Sequence, residues 1–244
     1  MLFIKQFLFP QLLIGVAKTF AIATLNTFTT TATINQPSYA SDINFLAIRL
    51  TNAAKVATLT AEDFFNQGLD KQKKGDLQGA IAAYTEAIRL NPNYAKAYYN
   101  RGVAREYLGD KKGAIEDFNQ VLRINPNFAE AYVNRGNDRD DLGDTKEAIE
   151  DYNQALRINP NFAKAYYNRG VSRAKLGDTK GAIEDYNQAL RINPNFAEAY
   201  GNRGYARAQL GDNKGAITDF QQAADIFKQQ GKIEEYQKAL KIIN

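Results

Sequence analysis

One phrase recurs along the chain at a fixed interval, and it limits the possible folds more than any other feature. Residues Ala189–Gly204 read ALRINPNFAEAYGNRG, and nearly the same text runs over Ala155–Gly170, Val121–Gly136 and, more loosely, Ala87–Gly102. Pro92, Pro126, Pro160 and Pro194 stand 34 residues apart, as do Gly68, Gly102, Gly136, Gly170 and Gly204. A fixed period of this length marks a stack of small supersecondary units, none of which buries its apolar face alone. The expected architecture is therefore an all-α solenoid without a single closed core.

Each unit reads as two helices. Asn125 is expected to cap a first helix, with Pro126 at its first position, where a missing N–H costs nothing. A first helix ending at Leu108 would be closed by Gly109, which accepts positive φ, and Asp110 would cap the second helix. The Gly-Asp pair recurs at 75–76, 109–110, 143–144, 177–178 and 211–212. Tyr98, Tyr132, Tyr166 and Tyr200, with Phe64 in the first unit, supply the large group of each first helix. Gly102 and its equivalents follow one turn later, and a mid-helix glycine costs about 1 kcal/mol against alanine. Its retention in five units implies a neighbour too close for a Cβ. Ala114, Ile115, Phe118, Val121 and Leu122 form the i, i+3, i+4, i+7, i+8 stripe of an amphipathic second helix.

Composition narrows the chemistry. The 244 residues include no Cys and no His, which removes thiolate and imidazole metal ligands and the commonest nucleophile and general base. The formal charge is +4, too small and too dispersed for a nucleic-acid face. The acidic cluster Asp138, Asp140, Asp141, Asp144 fits a calcium loop poorly: counted from Asp138, the fifth position is Leu142 and the twelfth Ile149. No phosphate-binding or nucleophile-elbow motif is present. No catalytic residue, metal, cofactor or small-molecule substrate is expected.

Residues 1–40 are of another kind. They hold Lys5, an apolar run from Phe7 to Val16, Lys18, a second apolar run and a Thr-rich stretch closing on Ser38-Tyr39-Ala40. A basic start, an apolar stretch and small residues at the −3 and −1 positions describe a secretory signal cleaved after Ala40. The competing reading is an uncleaved membrane anchor over 7–25, although Pro10 and Lys18 interrupt it. Residues 41–60 read either as a linker or as a short helix carrying Ile43, Leu46 and Leu50.

The recurring text resembles tetratricopeptide repeats, in a form similar to cyanobacterial-type tandem arrays with a signal peptide. Five repeats are expected, at 61–94, 95–128, 129–162, 163–196 and 197–230, followed by a capping helix over 231–244. The resemblance implies a right-handed superhelix. One feature departs from the usual family text. Repeats two to five carry arginines four apart (Arg101/Arg105, Arg135/Arg139, Arg169/Arg173, Arg203/Arg207) together with Asp117, Asp151, Asp185 and Asp219. Repeat one has Gln67, Lys71 and Ala83 instead. Either a structural Arg–Asp ladder or an anion-binding ridge would explain this.

The resemblance further implies a concave face of first helices that grips an extended peptide or partner protein. Carried over residue by residue, it places Asn66, Asn100, Asn134, Asn168 and Asn202 along that face, as an asparagine ladder for peptide main chain or as inter-repeat hydrogen bonds. Lys96 and Lys164 occupy clamp-like positions, but Phe65 and Leu69 break the two-carboxylate clamp, so no acidic C-terminal tail is expected as ligand. Tyr99, Tyr167 and Tyr205 would offer apolar contact. Asp140 and Asp141 would give the middle of the groove a negative field, or else lie on a solvated surface. The implied function is a non-catalytic, exported protein-binding scaffold in the periplasm, thylakoid lumen or medium. The alternative is an assembly factor of an envelope or photosynthetic membrane complex, tethered through its N-terminus.

Overall fold

A computed structural model describes residues 59–243. The signal, anchor and linker readings lie outside the described residues. Eleven helices occupy the described residues: α1 (Ala61–Lys73), α2 (Leu77–Leu90), α3 (Ala95–Tyr107), α4 (Lys111–Ile124), α5 (Ala129–Asp141), α6 (Thr145–Ile158), α7 (Ala163–Lys175), α8 (Thr179–Ile192), α9 (Ala197–Gln209), α10 (Asn213–Gln229) and α11 (Ile233–Ile243). They form five antiparallel pairs stacked in chain order, with α11 against α10 as the closing element. This is the expected all-α solenoid. Successive first helices (α3 and α5, α5 and α7, α7 and α9) also touch one another directly, and so form one continuous wall.

The tight turn inside each pair follows the sequence. Gly109 has φ 83°, a conformation costly for any residue with a Cβ. Asp110 then accepts a 3.0 Å hydrogen bond from the backbone N–H of Gly113. A Cβ on Gly113 would stand 2.2 Å from Asp110 Oδ2. Repeat three has Glu147 at that position, and there Asp144 makes no side-chain cap. Thr60 opens the array with a capping box, its hydroxyl accepting from Asp63 N–H while the Asp63 carboxylate accepts from Thr60 N–H.

The turn between pairs corrects the sequence reading. Asn125 does not cap α5. It is the C-cap of α4, and its Oδ1 accepts from Asn127 N–H at 3.1 Å while Pro126 sits inside the turn. The same turn occurs at Asn91, Asn159 and Asn193. Each following helix begins later, and its N-cap is an aromatic residue (Tyr94, Phe128, Phe162, Phe196) that makes no side-chain cap. Packing explains the preference. Phe128 stacks on Tyr99 with centroids 4.8 Å apart, and Phe196 meets Tyr167 at 4.7 Å. Burying such a ring stabilises by about 1.5–3 kcal/mol, more than the ~1 kcal/mol of a typical cap.

The core is a string of small clusters, one at each pair and joint. Tyr84, Phe118, Tyr152, Tyr186 and Phe220 from the second helices are buried beneath the repeat glycines. A Cβ on Gly102 would come within 2.9 Å of Phe118, and one on Gly170 within 2.7 Å of Tyr186. The recurring glycine is thus fixed by close approach.

Candidate partner-binding face

The arginines belong to the framework. Arg101 clasps Asp117 with two parallel bonds, Nε to Oδ2 at 3.0 Å and a terminal nitrogen to Oδ1 at 2.6 Å, while Arg105 donates to Oδ2 at 2.9 Å. The pattern repeats at Arg135/Arg139 with Asp151, Arg169/Arg173 with Asp185, and Arg203/Arg207 with Asp219. Each aspartate is only 2% exposed, so two charge-assisted contacts offset its desolvation. The first arginine of each pair also reaches backward: Arg135 to Asn119 at 2.6 Å, Arg169 to Asn153 and Arg203 to Asn187 at 2.7 Å, and Arg101 to Thr85 at 3.0 Å. It lies over the tyrosine one turn earlier, 5.3–5.5 Å from the ring centre. With their donors engaged inside the fold, these residues form a structural ladder rather than an anion ridge.

The asparagine row lies along the first helices, and the amide nitrogens of Asn134, Asn168 and Asn202 bond between repeats. Asn134 Nδ2 donates to the Tyr99 hydroxyl at 3.1 Å, and Asn202 Nδ2 to the Tyr167 hydroxyl at 3.0 Å. In repeat three, Val133 replaces the tyrosine and has no acceptor to offer. Asn168 Nδ2 turns to Asn137 Oδ1 at 2.6 Å, which also accepts from the Tyr152 hydroxyl at 2.9 Å. Asn100 bonds back to the Lys96 carbonyl of its own helix at 2.8 Å. Asn66 is exposed at the start of the wall. Among the described residues, the amide oxygens of Asn134, Asn168 and Asn202 receive no hydrogen bond, and none of them is buried.

The remaining predicted residues divide by burial. Lys96 and Lys164 are exposed and take part in no ion pair among the described residues. Tyr99 and Tyr167 are half-buried in the inter-repeat stacks, whereas Tyr205 is 52% exposed and stands edge-on to Phe220. Asp140 accepts from Lys175 Nζ at 2.7 Å, and Asp141 pairs with Lys111. The acids predicted for the middle of the groove therefore have cationic partners within the array. Asp138 beside them is 1% exposed with Oδ2 unpartnered. Burial first, then the Glu106 carboxylate, pushes its carboxyl up to about 7 against the opposing pull of Lys111. The sequence reading missed Gly201, which stands where Tyr99 and Tyr167 stand in their repeats; aligning the repeats column by column exposes the gap.

Models of the tetratricopeptide repeat match residues 95–128, 163–196 and 185–218, and a further TPR repeat model matches 71–109 and 141–177. The chain is a tetratricopeptide-repeat protein. No curated protein matches its sequence. Among solved structures, this tetratricopeptide-repeat chain is similar to a crystal structure of MamA, with 29% identity over 68% of this chain and 96% of that one, at a TM-score of 0.64. MamA from residue 41 to its end, from Desulfovibrio magneticus RS-1, has 23% identity over 70% and 96% at 0.65. YrrB, described as a TPR protein with an unusual peptide-binding site, has 24% identity over 78% and 97% at 0.62. The last two show the fold alone.

Proposed function

We propose that the chain is a non-catalytic scaffold that holds an extended segment of a partner protein against the wall of first helices. One observation carries this reading. Asn134, Asn168 and Asn202 are held by their nitrogens to the preceding repeat, while their oxygens receive no hydrogen bond and reach solvent. Each is a pre-oriented acceptor for a backbone N–H, and fixing a donor or acceptor beforehand lowers the ordering cost of binding. Lys96 and Lys164 add exposed charge to the same wall. Backbone recognition of this kind grips an extended chain with little regard for its side chains.

We further infer that the protein is exported, with the signal-like text of residues 1–40 removed after Ala40, as in the cyanobacterial-type arrays its repeats resemble. Among the described residues, no helix is long and apolar enough to cross a membrane. N-terminal sequencing that finds Ser41 supports export; a soluble cytoplasmic form retaining Met1 refutes it.

Crosslinking in the native cell tests the scaffold reading. A photoreactive residue at Lys96 or Lys164 should capture a narrow set of partner segments, whereas one at Glu116, exposed on α4, should give background only. Capture from Glu116 equal to that from Lys96 would remove the assignment of this wall.

A further inference from the structure

The tyrosines at the fifth position of α3 and α7 show how this fold seats a phenol. Tyr99 lies 5.9 Å from Phe118 of its own pair and stacks on Phe128, which opens the next. Tyr167 lies 6.0 Å from Tyr186 and meets Phe196 in the same way. Each hydroxyl accepts from the sixth residue of the following first helix, Asn134 or Asn202. In α9 the fifth residue is Gly201, and a Cβ there would meet nothing within 4 Å. Its neighbour Gly204 is fixed by Phe220 at 2.9 Å; no such contact fixes Gly201.

An open pocket of about 240 Å³ lies at this point, lined by Tyr205, Phe220, Ala223 and Phe227 together with Glu198 of α9 and Glu235 and Lys238 of α11. An apolar cavity of about 150 Å³ is enough to bind benzene. Lys238 is the sixth residue of α11, the position from which Asn134 and Asn202 donate to the tyrosine hydroxyls. It is exposed, lines the pocket and takes part in no ion pair among the described residues, which leaves its ammonium available as a donor to a phenol oxygen.

We infer that the last helix pair carries a socket for a tyrosine side chain of the bound segment. The inference deepens the groove reading, on which it rests for the source of that tyrosine. Phe220, Ala223 and Phe227 supply an apolar floor, Tyr205 an exposed aromatic wall, and Lys238 the donor to the hydroxyl. Offset or edge-on aromatic contacts of this kind favour a ring over an aliphatic side chain of equal area.

The socket is tested without any partner, by titrating the full chain with p-cresol and with toluene and following backbone amide NMR signals. Saturable shifts should concentrate at Gly201, Tyr205, Ala223 and Ala239, and p-cresol should bind about two- to tenfold more tightly than toluene, the range one modest hydrogen bond gives. Gly201→Tyr places the chain's own ring in the cavity, so it should fold and abolish both titrations; Lys238→Met should erase the difference between the two probes. Shifts scattered over the array, equal binding of the two probes by the parent, continued binding by Gly201→Tyr, or its failure to fold would each overturn the socket. Cresol binding alongside crosslinks confined to the outer face would retain the socket and reject the groove.

Discussion

Asn137 accepts the amide of Asn168 across a repeat boundary, in the role that the hydroxyls of Tyr99 and Tyr167 fill for Asn134 and Asn202. Repeat three thus replaces a tyrosine with Val133 and restores the lost acceptor one helical turn later. Asn137→Val, which copies Val171 of repeat four, leaves both Asn168 and Tyr152 without a partner. It should lower stability by about 1–2 kcal/mol. The double variant Val133→Tyr/Asn137→Val rebuilds the arrangement of repeats two and four, and should recover most of that loss in a urea unfolding series. Additive losses would show that the two positions are not coupled.

Asp185 takes contacts from Arg169 at 2.6 Å and Arg173 at 2.9 Å while almost fully buried. Asp185→Ala leaves two guanidinium groups facing an apolar void, each still partly in contact with water. We expect a loss of about 1–3 kcal/mol, read as a lower denaturant midpoint. The same change at exposed Asp178 removes a helix cap and a 3.8 Å exposed ion pair with Arg173, and should cost about 1 kcal/mol. Equal midpoints for Asp185→Ala and the parent would refute the ladder.

Asp138 makes stability depend on pH with the sign opposite to an ordinary ion-paired carboxylate. Its native carboxyl titrates at about 7, against 3.8 when unperturbed. Between these values the native chain holds a proton that the unfolded chain has released, so the Asp138 contribution falls as pH rises through this window and is constant above it. At about 1.4 kcal/mol per unit, the total change is at most about 4 kcal/mol. Asp138→Ala, the residue found at Ala104 and Ala206, should therefore stabilise the chain more at pH 8 than at pH 5. Midpoints that rise equally at both values would show that ionisation is not the cause.

The period, the paired helices and the Gly-Asp turns were legible in the sequence because each reflects local chemistry repeated at fixed spacing. That the arginines and aspartates belong together was legible because they are absent together from repeat one, but the choice between ladder and anion ridge needed the contacts. The start of each first helix was misread at Asn125-Pro126. Asparagine and proline carry helix-start preferences, but here a few residues later the aromatic at the N-cap is held by a ring in the previous repeat, and that contact is invisible to local reading. The asparagine row was recognised, yet two atoms of one side chain proved to have separate roles, nitrogen to the neighbouring repeat and oxygen to solvent. Burial of Asp138 and the space at Gly201 depend on which neighbours face each position, which one repeat read alone does not reveal.

The backward reach of Arg135 to Asn119, of Arg169 to Asn153 and of Arg203 to Asn187 makes the last three joints from one set of parts. Each repeat from the third on presents a guanidinium toward the unit before it, and each from the second to the fourth presents an asparagine toward the unit after. A stretch of 34 residues copied in tandem therefore carries both halves of a working junction, and the new seam needs no second mutation to close. Such an array lengthens by whole helix pairs, gaining reach along a ligand while the existing junctions stay as they were.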